Sequence, residues 1–352
     1  MPEVRRVQKF GRSTLMISLP SEWVKSVGLS PGDTIGIEVL DDGSLRLAPL
    51  SILTKKQERT LTVKVSKGSS ESLLTRAIYA GYILGMDRIV VHSINGILSE
   101  THLKVVRRLT KTLIGMEIVE HTPKKVVLQV LIDPSKYSAP TIIGRMANLV
   151  RFMIQHIEAS IFDKTPHLLN EVVELEDEID RLHALTVRQL LLSQTNRTLS
   201  KYLGIKPALV TEYRSIVRAF EEAADALAEI ARLLSEKGSD ILEKIAMHES
   251  VLKEGLNTLF LIVDRSHKSL TSLDPHLINE VLNLINEYYG HIKKYNTMIF
   301  KELGLDEAYL TILEFIDKLN TVSRAMETVV ETAFDIAIEK TGKELDISRA
   351  YL

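Results

Sequence analysis

Short runs of alternating apolar and polar positions open the chain. Leu15, Ile17 and Leu19 alternate with Met16 and Ser18, a period of two that predicts a strand. Pro20 to Val27 predicts a short helix stopped at Gly28, and Ser30-Pro31-Gly32-Asp33 a turn. Ile35, Ile37 and Val39 alternate again, and Asp41-Asp42-Gly43-Ser44 predicts a hairpin turn into Leu45-Arg46-Leu47. Fifty residues of short strands are too few to bury a self-sufficient core, so this unit is expected to dimerise.

From residue 51 to 137 the period switches back and forth. Thr60–Val65 reads as a strand and Ser69–Gly85 as a helix, with Ser69 or Ser70 as cap and Gly85 as stop. Arg88–His92 is a strand and Ser99–Ile114 a second helix. Met116–Glu120 and Lys125–Ile132 form a hairpin around His121–Lys124. The order β-α-β-α-β-β predicts a small α/β sandwich with helices on one face.

Beyond residue 137 the helical period takes over. Breaks at 163–166, 203–207, 237–240, 272–275 and 303–306 cut the segment into six helices of two to three dozen residues each. Thr165-Pro166 and Asp274-Pro275 have the cap-plus-proline pattern of helix starts. The segment repeats itself. Pro166-His167-Leu168-Leu169-Asn170-Glu171-Val172-Val173 recurs as Pro275-His276-Leu277-Ile278-Asn279-Glu280-Val281-Leu282, an offset of 109 with six identities in eight. Lys201, Leu203 and Gly204 recur as Lys301, Leu303 and Gly304. A repeat of this kind predicts two tandem three-helix bundles. The expected organisation is a dimerising head at 1–50, an α/β domain at 51–137, repeat 1 at 138–237 and repeat 2 at 238–352.

Charge sharpens this division. Residues 1–50 are neutral, 51–137 carry net +7, and 138–352 carry net −9. A basic front and an acidic back suggest a polyanion partner in front and cations behind. The chain has no cysteine, which excludes disulfides, thiolate metal sites and a Cys nucleophile. It shows no apolar run long enough to span a membrane and no leader, so a cytoplasmic protein without membrane insertion is expected. No Walker loop, HExxH motif or Ser/His/Asp set appears, and Gly81 and Gly85 lack the spacing of a nucleotide fingerprint. A ferritin-like di-metal enzyme needs two Glu-x-x-His motifs, and only Asp180-x-x-His183 is present. The chain is therefore expected not to be an enzyme.

The sharpest chemical signal is acidic. Glu221 and Asp225 lie one helical turn apart beside the small apolar residues Ala223, Ala224 and Ala228. Glu176 and Asp180 form a second such pair, followed on the same side by His183. If their helices pack together, four carboxylates face one another, a site suited to hard divalent cations or iron. Glu327 and Glu331 repeat the pattern at an offset of 106, within Arg324–Glu331 against Arg218–Asp225. The competing reading is a salt-bridge network, because Arg218 and Arg324 each lie three residues before the first acid of their pair.

Two resemblances extend these readings. Val7–Thr14, Ile17-Ser18-Leu19-Pro20 and Gly28–Asp33 resemble the SpoVT/AbrB-type (MazE-like) swapped-hairpin domain over the first fifty residues. That resemblance implies a homodimeric all-β DNA-binding barrel, with Arg5, Arg6, Lys9 and Arg12 as candidate DNA contacts. The fold also serves as a protein-binding module in toxin–antitoxin systems. Lys104, Arg107, Arg108 and Lys111 line one face of a helix and offer either further contact to the DNA backbone or a solvated surface. The last 210 or so residues resemble the PhoU family of phosphate-signalling regulators. Its E/D-x-x-x-D motifs match Glu176/Asp180 and Glu221/Asp225, with Glu327/Glu331 a near match, while Ile285 and Tyr289 stand where the fourth pair would be. The resemblance implies bound metal (Mg, Mn, Fe or Zn). The fusion of the two parts resembles archaeal phosphate uptake regulators. Two functions are expected from it: a DNA-binding transcriptional regulator of phosphate uptake with a metal-binding sensor or adaptor bundle, or an adaptor that docks on phosphate transporter components without DNA binding.

Overall fold

Gly11 takes φ +65°, a left-handed conformation that residues with a Cβ adopt at a cost, and so turns β1 (Gln8–Phe10) back onto β2 (Thr14–Met16). The computed structural model describes residues 3–39, 43–50, 58–133 and 136–341, which form two compact units, Met1–Glu58 and Arg59–Leu352. In the first unit, α1 (Ser21–Ser26) follows Pro20. β3 (Ile35–Val39) then pairs antiparallel with β4 (Leu45–Pro49). The strand expected over Leu15–Leu19 pairs only as far as Met16. The turn expected at Asp41-Asp42 lies outside the described residues. Both hairpins leave large apolar side chains in solvent, among them Phe10, Leu15, Ile17, Ile37 and Val39. Within one chain the head is thus two separate two-stranded sheets with little core of its own.

The second unit begins with the expected sandwich. β5 (Thr60–Val65), α2 (Glu71–Ile83), β6 (Arg88–Ser93), α3 (Glu100–Thr112), β7 (Met116–Thr122) and β8 (Lys125–Val130) follow in order. The sheet order is β5-β6-β8-β7, with β5 and β6 parallel and the other pairs antiparallel. Ser70 and Ser99 cap the two helices by accepting from Leu73 and His102 N–H. The β7–β8 turn is tighter than the sequence suggests, because Thr122 Oγ1 accepts from Lys125 N–H at 3.0 Å and the strands pair out to Thr122 and Lys125.

Among the described residues six long helices follow: α4 (Ala139–Phe162), α5 (Leu168–Ser193), α7 (Val210–Lys237), α9 (Glu249–Ser272), α10 (Pro275–Leu303) and α11 (Glu307–Thr341). Two short helices interrupt them, α6 (Arg197–Leu203) and α8 (Ser239–Ile245). The first short helix exists because Asn196 breaks α5 and caps the new turn, accepting from Leu199 N–H at 3.1 Å. Asp274-Pro275 starts α10 as the sequence predicts. Thr165-Pro166 does not start α5. The chain makes one more turn there and the helix begins at Leu168, without a side-chain cap.

The two repeats share one core. α7 packs on α5 within repeat 1 and on α11 of repeat 2, and α4 packs on α9. Phe220, Phe315, Tyr288 and Tyr295 are all buried in this common interior. The sandwich belongs to the same unit. Its helices α2 and α3 lie on α5, and Ala184 of α5 is part of the sandwich core. Gly85 sits at this junction with φ +84°, and a Cβ there would stand 2.5 Å from Leu192 Cδ2. Gly85→Ala is therefore expected to cost about 2–4 kcal/mol, from left-handed strain plus overpacking. Thermal denaturation of the variant checks this, and a shift of less than a degree would show that the junction yields.

Candidate functional site

Ala224, Ala228 and Ala231 are fully buried along α7 beside the acidic face, where α7 packs on α5. Glu176 and Asp180, one turn apart on α5, then meet Asp225 of α7, with one carboxylate oxygen of each lying within 4.8 Å of the others. Glu221 stands one turn before Asp225. Its carboxylate takes the Arg218 guanidinium at 2.8 Å, and Glu176 takes Arg232 at 3.1 Å. The ion-pair reading is thus realised at the edges of the cluster, while Asp180 and Asp225 occupy its middle.

Burial and mutual repulsion hold these acids toward their protonated forms. Glu221 is pushed up to about 7, first by burial and then by Asp225 and Asp180, against the pull of Arg218. Asp180 keeps an open side to solvent, yet lost hydration and its neighbours Glu176 and Asp225 raise it to about 6. Glu176 and Asp225 are also raised, mainly by burial. His183 is lowered to about 4 by burial and by Arg218 and Arg214, so it is neutral near pH 7. Crowded carboxylates with raised pKa values describe an excess of negative charge that a hard cation relieves. Glu176, Asp180 and Asp225 offer three oxygen donors and no thiolate, which suits Mg²⁺, Mn²⁺ or Fe better than a soft metal.

Tyr79 is a member that the sequence concealed. It reaches the site from α2 of the sandwich, and Asp180 and Glu221 add to the burial that raises its phenol pKa. Arg232, nearly two turns beyond Asp225, is another. Neither residue carries a motif, and only the packing of α2 and α7 on α5 links them to the acids.

The second repeat is different. Glu327 and Glu331 lie on α11, half-buried and exposed respectively, and among the described residues no third acid joins them in a cluster. Arg324 turns to Thr321 at 2.8 Å and toward Asp317 at 3.9 Å. Ile285 and Tyr289 occupy the counterpart positions on α10 and pack into the core, where neighbouring Tyr288 donates to Asn320 Oδ1.

Residues 143–234, from α4 through most of α7, match the PhoU domain model. Residues 8–56 match the model of MazE, an antidote-toxin recognition antitoxin. No curated protein matches the chain. The acid cluster lies wholly within the matched PhoU span, and neither matched family is catalytic. In the MazE-like head, Arg5, Arg6, Lys9 and Arg12 are all exposed, Lys9 on β1 and Arg12 in the turn after it, while Arg5 pairs with Glu3. Lys104, Arg107, Arg108 and Lys111 are exposed along α3, where Lys104 pairs with Glu100 and Arg108 donates to Thr75. Among the described residues no helix is long and apolar enough to cross a membrane.

Proposed function

We propose that this protein is a cytoplasmic regulator of phosphate uptake. Its MazE-like head binds DNA as a homodimer, and its PhoU-like bundle holds a divalent cation through Glu176, Asp180, Asp225 and Glu221. The observation that carries the reading is the acid cluster, buried enough to raise its pKa values, inside a PhoU domain joined to a head with a basic start. Dimerisation follows from the apolar side chains that the two hairpins leave in solvent. Glu327 and Glu331 form a secondary candidate pair without a third ligand. When bound, a cation would neutralise the carboxylates and draw α5 and α7 together.

DNA binding has a salt signature. A dimer presents Arg5, Arg6, Lys9 and Arg12 twice, and each phosphate contact contributes about −0.9 to the slope of log affinity against log salt. With six to eight contacts the slope is about −5 to −7, and Arg5→Ala with Arg12→Ala in both chains flattens it by about 3–4. Fluorescence anisotropy over a salt series measures this. If residues 59–352 alone match the intact chain in affinity and slope, the contact lies on α3 instead.

Two observations favour a second reading. The matched head model describes recognition of a protein toxin, and Arg5 is already engaged by Glu3. On this reading the protein is an adaptor that docks on phosphate transporter components. Absence of duplex binding below the micromolar range at low salt would select it.

A further inference from the structure

A cavity of about 500 Å³ opens on the side of α5 away from the acid cluster. Four segments meet around it: Ile114 just past the end of α3, Tyr137 in the linker between β8 and α4, and the facing turns of α4 and α5. Arg145 of α4 and Arg181 of α5 reach into it from two different helices and share a single carboxylate. Arg145 donates to Glu178 Oε1 at 2.7 Å and Arg181 to Glu178 Oε2 at 3.1 Å. One acid thus serves two guanidinium groups and leaves a surplus positive charge. Arg181 Nε is shut off from solvent and has no acceptor. The rest of each guanidinium stays open to an incoming anion, the Arg145 side chain being 61% and the Arg181 side chain 41% exposed. Thr141 adds a hydroxyl at the first turn of α4, and Leu182 and Leu185 supply an apolar wall.

We propose that this cavity binds a small organic anion, a phosphate ester or carboxylate carried on an apolar body. Guanidinium forks match both head groups bidentately, and the volume exceeds what a bare oxyanion fills. In this arrangement Glu178 is a resident competitor: it holds the two arginines in place and yields them to the ligand. Binding joins the sandwich, the linker and the first two helices of the bundle through one molecule. This site is separate from the acid cluster, so the proposal stands or falls independently of metal binding.

The test is isothermal titration of the intact chain in metal-free buffer, with phenyl phosphate, benzoate and inorganic phosphate as probes. The expected result is saturable, salt-sensitive binding of at least one of the two organic anions, tighter than that of inorganic phosphate. Glu178→Gln removes the competitor without removing volume, and should tighten binding about tenfold. Arg145→Gln with Arg181→Gln should abolish it. No saturable binding of either organic anion, by the intact chain or by the Glu178→Gln variant, overturns the proposal. So does unchanged or weaker binding in Glu178→Gln, a readout that does not depend on the double variant folding. Retained affinity in the folded double variant also overturns it. Equal affinity for inorganic phosphate and the organic anions overturns the assignment to an organic ligand.

Discussion

Arg188→Met lowers the melting temperature of the intact chain by roughly 10 °C, the consequence of losing about 3–5 kcal/mol. Arg188 lies on α5 and is only 4% exposed. Its guanidinium donates to Tyr82 O at 2.6 Å and Met86 O at 3.0 Å, and stacks over the Tyr82 ring 5.1 Å from its centroid. Those carbonyls belong to the last turn of α2 and the loop after it, the negative end of that helix. Met keeps the volume and the apolar stem but leaves two carbonyls without their charged donor. The effect also has a shape. Calorimetry of the parent should show residues 59–352 melting as one transition, because the sandwich and bundle share α5. In the variant a separate, lower transition for the sandwich should emerge. A shift under 2 °C with one unchanged transition would mean that the apolar contacts, with Gly85 against Leu192, hold the sandwich unaided.

Manganese added to the chelated protein should raise its melting temperature by about 5 °C once the ion stands a hundredfold above its dissociation constant, where mass action contributes about 2.7 kcal/mol. Asp225→Asn should abolish the rise, and Glu327→Gln should leave it intact. An unchanged melt in the parent, with no metal found by elemental analysis, would leave the cluster as an ion-pair network. The metal-free protein has its own signature. Glu221 titrates at about 7 in the fold against an ordinary 4.5, so between these values the folded state holds more protons than the unfolded chain. The stability associated with this group is complete below pH 4.5 and is lost as pH rises through 7. Glu221→Gln should therefore gain about 1–3 kcal/mol over the parent at pH 8 and almost nothing at pH 4.5. Glu221 is only 13% exposed, so solvent screening reduces this little, and its partner Arg218 is exposed enough to lose the pair cheaply. An equal gain at both pH values would assign the effect to something other than the carboxylate's charge.

Much of the protein was legible along the chain. Apolar periods located the strands and helices of the sandwich, the six long helices and the order of elements in the head. Recurrence of Pro166–Val173 at Pro275–Leu282 marked the starts of two of the long helices, α5 and α10. Spacing of four placed Glu176 with Asp180 and Glu221 with Asp225 on common helix faces. All of these are local properties, set by backbone geometry within a few residues. Several local details escaped: the strand end at Met16, the tighter β7–β8 turn, the breaks at Asn196 and at Ala246–His248, and the start of α5 at Leu168, where turn and cap compete over energies too small for the pattern to register.

Contacts across a hundred residues were not legible. Arg188 reads as one more charge on a helix until the end of α2 is laid against it, and Tyr79 has no link to acids on other helices until the sandwich docks. Gathering Glu176, Asp180 and Asp225 into one cluster needed α7 to pack on α5. Sequence periodicity states which face of a helix is buried; it does not state which other surface buries it. That choice is made by complementary shape and by the pairing of polar groups in the assembled core.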